Sequence, residues 1–162
     1  MKTIILISTL ILMSSCVIPR TLWPQKDVVE QSSSNARILI ASRSSEFKDA
    51  VVNKTALLLQ NDSIPVRIVG LNSLDTIKVD GYKAILLVNT CVAWDLDRNI
   101  NTFLEKVGTT NNIIIFTTAG DSLWSPPKDN HAYDAITSAS IMSLSDVRAA
   151  MLAGKIKTLL SK

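Results

Sequence analysis

The chain has 162 residues, a length that suits one domain plus a targeting segment. Apolar residues make up 47% and charged residues 19%, enough for a packed core and too apolar for wholesale disorder. The formal net charge is only +3 and no Lys/Arg cluster stands out, so the concentrated positive charge needed to neutralise phosphates is missing and no nucleic-acid partner is expected.

Met1 and Lys2 form a short positive start, and Ile4 to Met13 is an apolar run. That run is well short of the ~20 residues needed to cross a bilayer, so it reads as the core of a signal peptide. Ser14 and Ser15 are small enough for a peptidase cleft, and Cys16 follows them with a thiol open to diacylglyceryl transfer. The string Leu12-Met13-Ser14-Ser15-Cys16 resembles the bacterial lipobox. The resemblance implies a lipoprotein: residues 1–15 are the signal peptide, and Cys16 becomes the lipidated, palmitate-bearing N-terminus. The protein is then lipid-anchored at the bacterial cell envelope, with its domain facing the periplasm or the exterior. A plain secretory signal in which Cys16 is incidental is the competing reading. Residues 16–35, with Pro19, Pro24 and the run Gln31-Ser32-Ser33-Ser34, have little apolar periodicity and read as a tether, leaving residues 36–162 as the domain. Trp23, inside the tether, reads as a lone exposed or loosely docked aromatic.

Arg37-Ile38-Leu39-Ile40-Ala41 is an apolar run that fits a buried strand. Phe47, Ala50, Val51, Leu57 and Leu58 then recur at helical spacing to about Gln60, with Ser44 or Ser45 as N-cap. Pro65 to Leu71 is a second strand. Asp80-Gly81 marks a turn before a third, Tyr82 to Asn89. Asp95 is placed to cap a helix carrying Leu96, Ile100, Phe103, Leu104 and Val107, stopped by Gly108. Asn112 to Thr118 is the fourth strand and Ala135-Ile136-Thr137 a weaker fifth. Ser143 or Ser145 opens a last helix, with Val147, Met151, Ile156, Leu159 and Leu160 inward and Lys155, Lys157 and Lys162 near its C-terminal end, where the helix dipole favours them.

Strands alternating with helices imply an α/β fold with a parallel sheet and right-handed crossovers. The alternation and the hydroxyl-rich loop after the first strand give five strands in the order 2-1-3-4-5. The links from Asn72 to Gly81 and from Gly120 to Asp134 are too short for long helices, so some crossovers are trimmed.

In such a sheet ligands bind beyond the C-terminal strand ends. Ser42-Arg43-Ser44-Ser45 follows the first strand, Thr90-Cys91-Val92-Ala93-Trp94 the third, and Thr117-Thr118-Ala119-Gly120-Asp121-Ser122-Leu123-Trp124 the fourth. Hydroxyls at a helix start suit a phosphate, and an aromatic in each of two neighbouring loops suits a flat ring. Here residues 36 to 160 resemble the flavodoxin-like family. The resemblance implies a flavodoxin-like three-layer sandwich. It also implies FMN as cofactor: the phosphate at Ser42, Ser44 and Ser45, and the ring near Thr90, Trp94, Thr118, Gly120, Asp121 and Trp124. Electron transfer outside the cytoplasm, with a redox or envelope protein as partner, is what the resemblance implies for function. This loop lacks the family's glycine and carries Glu46, and a cofactor-free interaction module of the cell envelope remains the alternative. Separately, Asp134-Ala135-Ile136-Thr137-Ser138-Ala139-Ser140 resembles a motif that carries covalent FMN on a Ser/Thr hydroxyl, which implies Ser140 as the attachment point. Strand-end hydroxyls that satisfy backbone groups explain the same string.

His131 is the only histidine and lies in the polar run Lys128-Asp129-Asn130-His131, with no second His and no Cys pair to build a metal site. No Gly-x-Ser-x-Gly elbow supports a hydrolase triad. Cys91 is the one thiol left once Cys16 is acylated; at a strand end it reads as a small buried hydrophobe or a reactive thiol. Asp95, Asp97 and Asp121 suit helix or turn capping better than a cation. One test concerns processing: Cys16→Ala is expected to give an unlipidated protein that leaves the membrane fraction. Mass spectrometry of the native N-terminus checks this, and an unmodified Cys16 would exclude the lipid anchor.

Overall fold

The computed structural model describes residues 26–32, 35–108, 110–126 and 132–162, so Cys16, Trp23 and His131 lie outside the described residues. In chain order the elements are β1 (Gln31–Ser32), β2 (Ile38–Ser42), helix α1 (Glu46–Asn61), β3 (Val66–Gly70), β4 (Ala84–Thr90), α2 (Arg98–Val107), β5 (Ile113–Thr118), β6 (Asp134–Ser138) and α3 (Ser145–Leu160). Short 3₁₀ turns occupy Leu71–Asp75 and Met142–Leu144. The sheet runs β1-β3-β2-β4-β5-β6. Its strands from β2 to β6 are mutually parallel, with β2 between β3 and β4.

The expected five-stranded sheet is therefore corrected to six, and the order gains an edge member. β1 pairs antiparallel with β3 through Gln31 opposite Ile68 and Ser32 opposite Arg67. Both β1 side chains are exposed, so no apolar alternation marks it in the sequence. Within the segment read as a tether, the described residues Lys26–Ser32 take part in the fold through β1 and the Asp27–Arg43 bridge.

Alternation along the strands builds two cores. Ile38, Ile40, Leu86, Val88, Ile114 and Phe116 face α1 and α3. Leu39, Ala41, Ile85, Leu87, Ile113 and Ile115 face α2 and the Leu71–Asp75 turn. This is the period of two that a strand imposes, used on both faces. On the first face the Phe47 and Phe116 rings pack with centroids 6.5 Å apart and planes tilted by 37°.

Helix phase decides which apolar residues turn inward. In α1 the buried stripe is Phe47, Lys48, Val51, Val52, Thr55, Ala56 and Leu59. Leu57, expected inside, is exposed because it falls between the turns of that stripe. In α3 the stripe is Ala149, Leu152, Ala153 and Ile156, spaced by three and four. Val147 is off it and exposed, and Met151 is only half-buried. The cap of α2 also moves, from Asp95 to Asp97, whose carboxylate accepts the Asn99 N–H at 2.9 Å. Asp95 instead belongs to a turn, its N–H donating to the Val92 carbonyl at 3.3 Å. Gly108 ends α2 at φ 68°, where glycine carries no Cβ penalty. α3 starts at Ser145 after the Met142–Leu144 turn, without a side-chain cap.

The segment Lys26–Ser32 forms a strap along the β3 edge and over the end of β2. Asp27 lies so close to Gly70 that a Cβ there would be 2.5 Å from its side-chain carbons. Gly70→Ala is expected to cost about 1–3 kcal/mol, the range for forcing a methyl into filled space. Chemical denaturation measures this, and Asp27→Gly in the same chain, which removes the clashing Cβ and carboxylate together, should recover part of the loss. Strictly additive losses would mean that the two residues do not press on each other.

Candidate functional site

β2, β4 and β5 end together, and their ends carry the polar residues. Ser42 closes β2 fully buried, its hydroxyl donating to the Arg43 carbonyl at 2.9 Å. It faces the interior and is not available to a ligand. Arg43 follows with three anchors. Its guanidinium pairs with Asp27 at 3.0 Å and with Asp97 at 3.1 Å, and donates to the Asn72 side-chain oxygen at 3.1 Å. The loop after β2 is thereby clasped to the strap on one side and to the start of α2 on the other.

The Ser44 donors of this loop are spent, and the Ser45 oxygen is engaged as an acceptor. The Ser44 N–H donates to the Lys26 carbonyl at 2.6 Å, and its hydroxyl to Asp49 at 2.6 Å. The Ser45 hydroxyl caps α1 by accepting the Lys48 N–H at 3.4 Å. Glu46 and Asp49 in the first turn suit the positive end of the helix dipole, but they add negative charge where a phosphate was expected.

An open cleft of about 440 Å³ lies at this end of the sheet. Ser44 and Ser45 form one wall with Glu46, Phe47 and Lys48 of α1; Thr90 ends β4 and Thr118 ends β5; Ser140 and Met142 close the far side. The size is within the range of roughly 300–1,000 Å³ common for small-molecule sites. A larger hollow of about 740 Å³ sits at the opposite end, by the first residues of β5 and β6 and the end of α3. Parallel sheets place ligands at the C-terminal strand ends, which favours the smaller cleft.

Of the sequence-predicted residues, Ser44, Ser45, Thr90 and Thr118 meet in the cleft. Ser140 joins them. Trp94 and Trp124 do not line it. Trp124 is half-buried against the core that contains Leu39 and Phe103. Trp94 is 68% exposed. It sits with Ala93 at the tip of a turn closed by Val92 and Asp95, both tip residues at positive φ, 55° and 61°. Such a turn normally takes Asn-Gly, so two bulkier residues there store strain beside the site. Gly120 and Asp121 belong to the exposed loop after β5, where the Asp121 carboxylate accepts the Leu123 N–H at 2.9 Å. Cys91 is half-buried, its N–H donating to the Thr118 carbonyl at 2.9 Å. Asn89 was missed: fully buried, it accepts the Asp97 N–H at 2.8 Å and so fixes the entry to α2.

Lys48 was missed too, and it is the principal cation of the cleft. It is 4% exposed, yet its only ionic neighbours act at a distance; among the described residues no carboxylate comes within ion-pair reach. Its ammonium donates to the Thr90 hydroxyl at 2.8 Å. The sequence signal was its phase: Lys48 precedes Val51 by three and Val52 by four, on the apolar stripe of α1.

Whether FMN fits can be judged end by end. A phosphate would find Lys48, the start of α1 and the Ser45 hydroxyl proton, whereas the Ser44 donors are already engaged. A ring would find hydroxyls in the cleft and an exposed indole, Trp94, in the adjoining loop. Lys48, Thr90 and Thr118 therefore suit the anionic and polar parts, and Trp94 is the residue free to cover a ring.

Burial pushes the Lys48 ammonium down from its ordinary 10.5 to about 8; Asp49 and Asp97 oppose the shift and Arg43 adds to it. Between those values the unfolded chain holds the extra proton, so stability should rise with pH from about 8 to 10.5. Below pH 8 the full penalty of the buried cation applies, about 3 kcal/mol. Lys48→Met is expected to be more stable than wild type at pH 7 by a part of that penalty and to lose the alkaline rise. Denaturation midpoints from pH 7 to 10.5 check both, and a wild-type curve that is flat over this range would refute the assignment.

The sequence matches no protein-family model and no curated protein. Solved structures do share its architecture. A cysteine-to-serine mutant of flavodoxin from Pseudomonas aeruginosa aligns with a TM-score of 0.51 at 14% identity, over 77% of this chain and 99% of that one. The metal-soaked Flv1 flavodiiron core from Synechocystis sp. aligns with a TM-score of 0.52 at 7% identity, over 76% of this chain and 35% of that one. The chain thus spans about a third of the flavodiiron core. At these identities the likeness is one of fold, and the fold of this domain is flavodoxin-like.

Proposed function

We propose that this protein is a membrane-tethered flavodoxin-like domain, lipid-anchored through Cys16 at the bacterial cell envelope, that binds FMN and transfers electrons outside the cytoplasm to a redox partner. The observation that carries the reading is the cleft at the ends of β2, β4 and β5, lined by hydroxyls and by the Lys48 ammonium. A bound flavin would supply the redox chemistry. The chain's own residues bind and orient. Lys48 and Thr90 hold negative charge, Thr118 and Ser140 offer polar contacts, and Trp94 covers the ring from the strained turn. No nucleophile or general base is required.

A second reading, the cofactor-free interaction module of the cell envelope, is favoured by the engaged donors of Ser44. Absorption of the purified protein and titration with FMN, followed by Trp fluorescence and calorimetry, separate the two. Flavin binding with quenching of Trp94 is expected. Trp94→Ala should weaken it by more than the ~0.5–1.5 kcal/mol of a stacked aromatic pair, since buried area is lost as well. Ser140→Ala should leave a non-covalent flavin in place and remove a covalent one. No flavin as isolated and no binding at millimolar FMN would discard electron transfer and leave the interaction module.

A further inference from the structure

We propose that the anion-holding element of the cleft is centred on the pair Lys48 and Thr90, on α1 and β4, and not on the serine loop, and that it takes a phosphate dianion. This deepens the reading above and rests on it for the identity of the cleft. Three observations converge. The loop has less to give: the Ser44 N–H and hydroxyl already donate to the Lys26 carbonyl and to Asp49, Ser42 is buried, and the Ser45 hydroxyl, which accepts the Lys48 N–H, has only its own proton to offer. Lys48 is the opposite case. An ammonium carries three donors, and Thr90 takes one at 2.8 Å. It is buried but lines an open cleft, and no carboxylate pairs with it at short range among the described residues. A buried cation without a counter-ion is costly, and a dianion entering the cleft would relieve that cost. The Thr90 hydroxyl, by accepting from Lys48, is free to donate its own proton to the same anion.

The charges around Lys48 set how tightly an anion can be held. Asp49 and Glu46 on α1 oppose it. Arg43 from the loop after β2 favours it but is neutralised by Asp27 and Asp97. The balance leaves Lys48, among the described residues, as the cation facing the cleft without a close carboxylate, and binding should fade as it loses its proton above pH 8.

The test is calorimetric titration of the full-length protein with inorganic phosphate and, separately, with FMN, at pH 7 and pH 9.5. Lys48→Met should weaken phosphate at least about tenfold, the scale of a lost charge-assisted hydrogen bond. Lys48→Arg should keep most of the affinity, and Thr90→Val should lose severalfold. Lys155→Met, whose ammonium pairs with Asp134 at the other end of the sheet, is the control and should bind as wild type. Thermal melts of each variant confirm folding. Phosphate bound with this Lys48 dependence, but no FMN, would keep the inference and reject the flavin. FMN bound equally by wild type and Lys48→Met would do the reverse. Phosphate binding that Lys48→Met leaves unchanged, or no binding of either probe, overturns the inference.

Discussion

The three middle strands of the sheet have no solvent face. Every residue of β2 and β5 is buried, and so is all of β4 except Thr90. A parallel strand in this position must offer apolar side chains to both sides, and helices must cover both. That constraint fixes α1 and α3 on one face and α2 with the Leu71–Asp75 turn on the other. It also confines polar chemistry to the strand ends, because a polar side chain along the strands would need a buried partner. Asn89 and Thr117 show the rule: both are fully buried, and their side chains meet across β4 and β5 at 3.4 Å.

The same constraint explains what could be read from the sequence. Runs such as Ala84 to Val88 and Ile113 to Phe116 are apolar at every position, so their strand character and depth were legible. The Ser45 cap and the Gly108 stop were legible because local chemistry makes them. What failed depended on distant partners. Asp97 displaced Asp95 as cap because Asn89, eight residues earlier, takes its N–H and Arg43 grips its carboxylate. β1 escaped notice because its pairing with β3 leaves both side chains in water. Val147 was placed inward on hydropathy, whereas α3 joins the core of α1 through Leu152, Ala153 and Ile156, a stripe that Val147 falls outside.

At the site, residue type was a weaker guide than accounting for donors. Three serines after a strand suggest a phosphate loop, and their composition could not say that strap, Asp49 and helix backbone would occupy them. A donor already engaged within the protein, as both of Ser44's are, offers an incoming anion little. Lys48 was passed over for the converse reason. A lysine on a helix is ordinarily a solvated charge, and only its place on the apolar stripe set it apart.

Lys48 therefore carries an energetic argument that the serines do not. Its burial works against the folded state, and Met at the same position would fill similar volume without a charge to desolvate. Ala93 and Trp94 add strain in the adjoining loop, where glycine would relax the backbone at one position or both. Two unfavourable features thus flank one cleft. Stability selects for neither feature, since substitutions that relieve such positions are readily available. The serine loop, the Asp27–Arg43–Asp97 clasp and the two cores need no ligand to account for them. The desolvated ammonium and the strained, exposed tryptophan have no such account in the fold, and the proposed ligand binding rests on them.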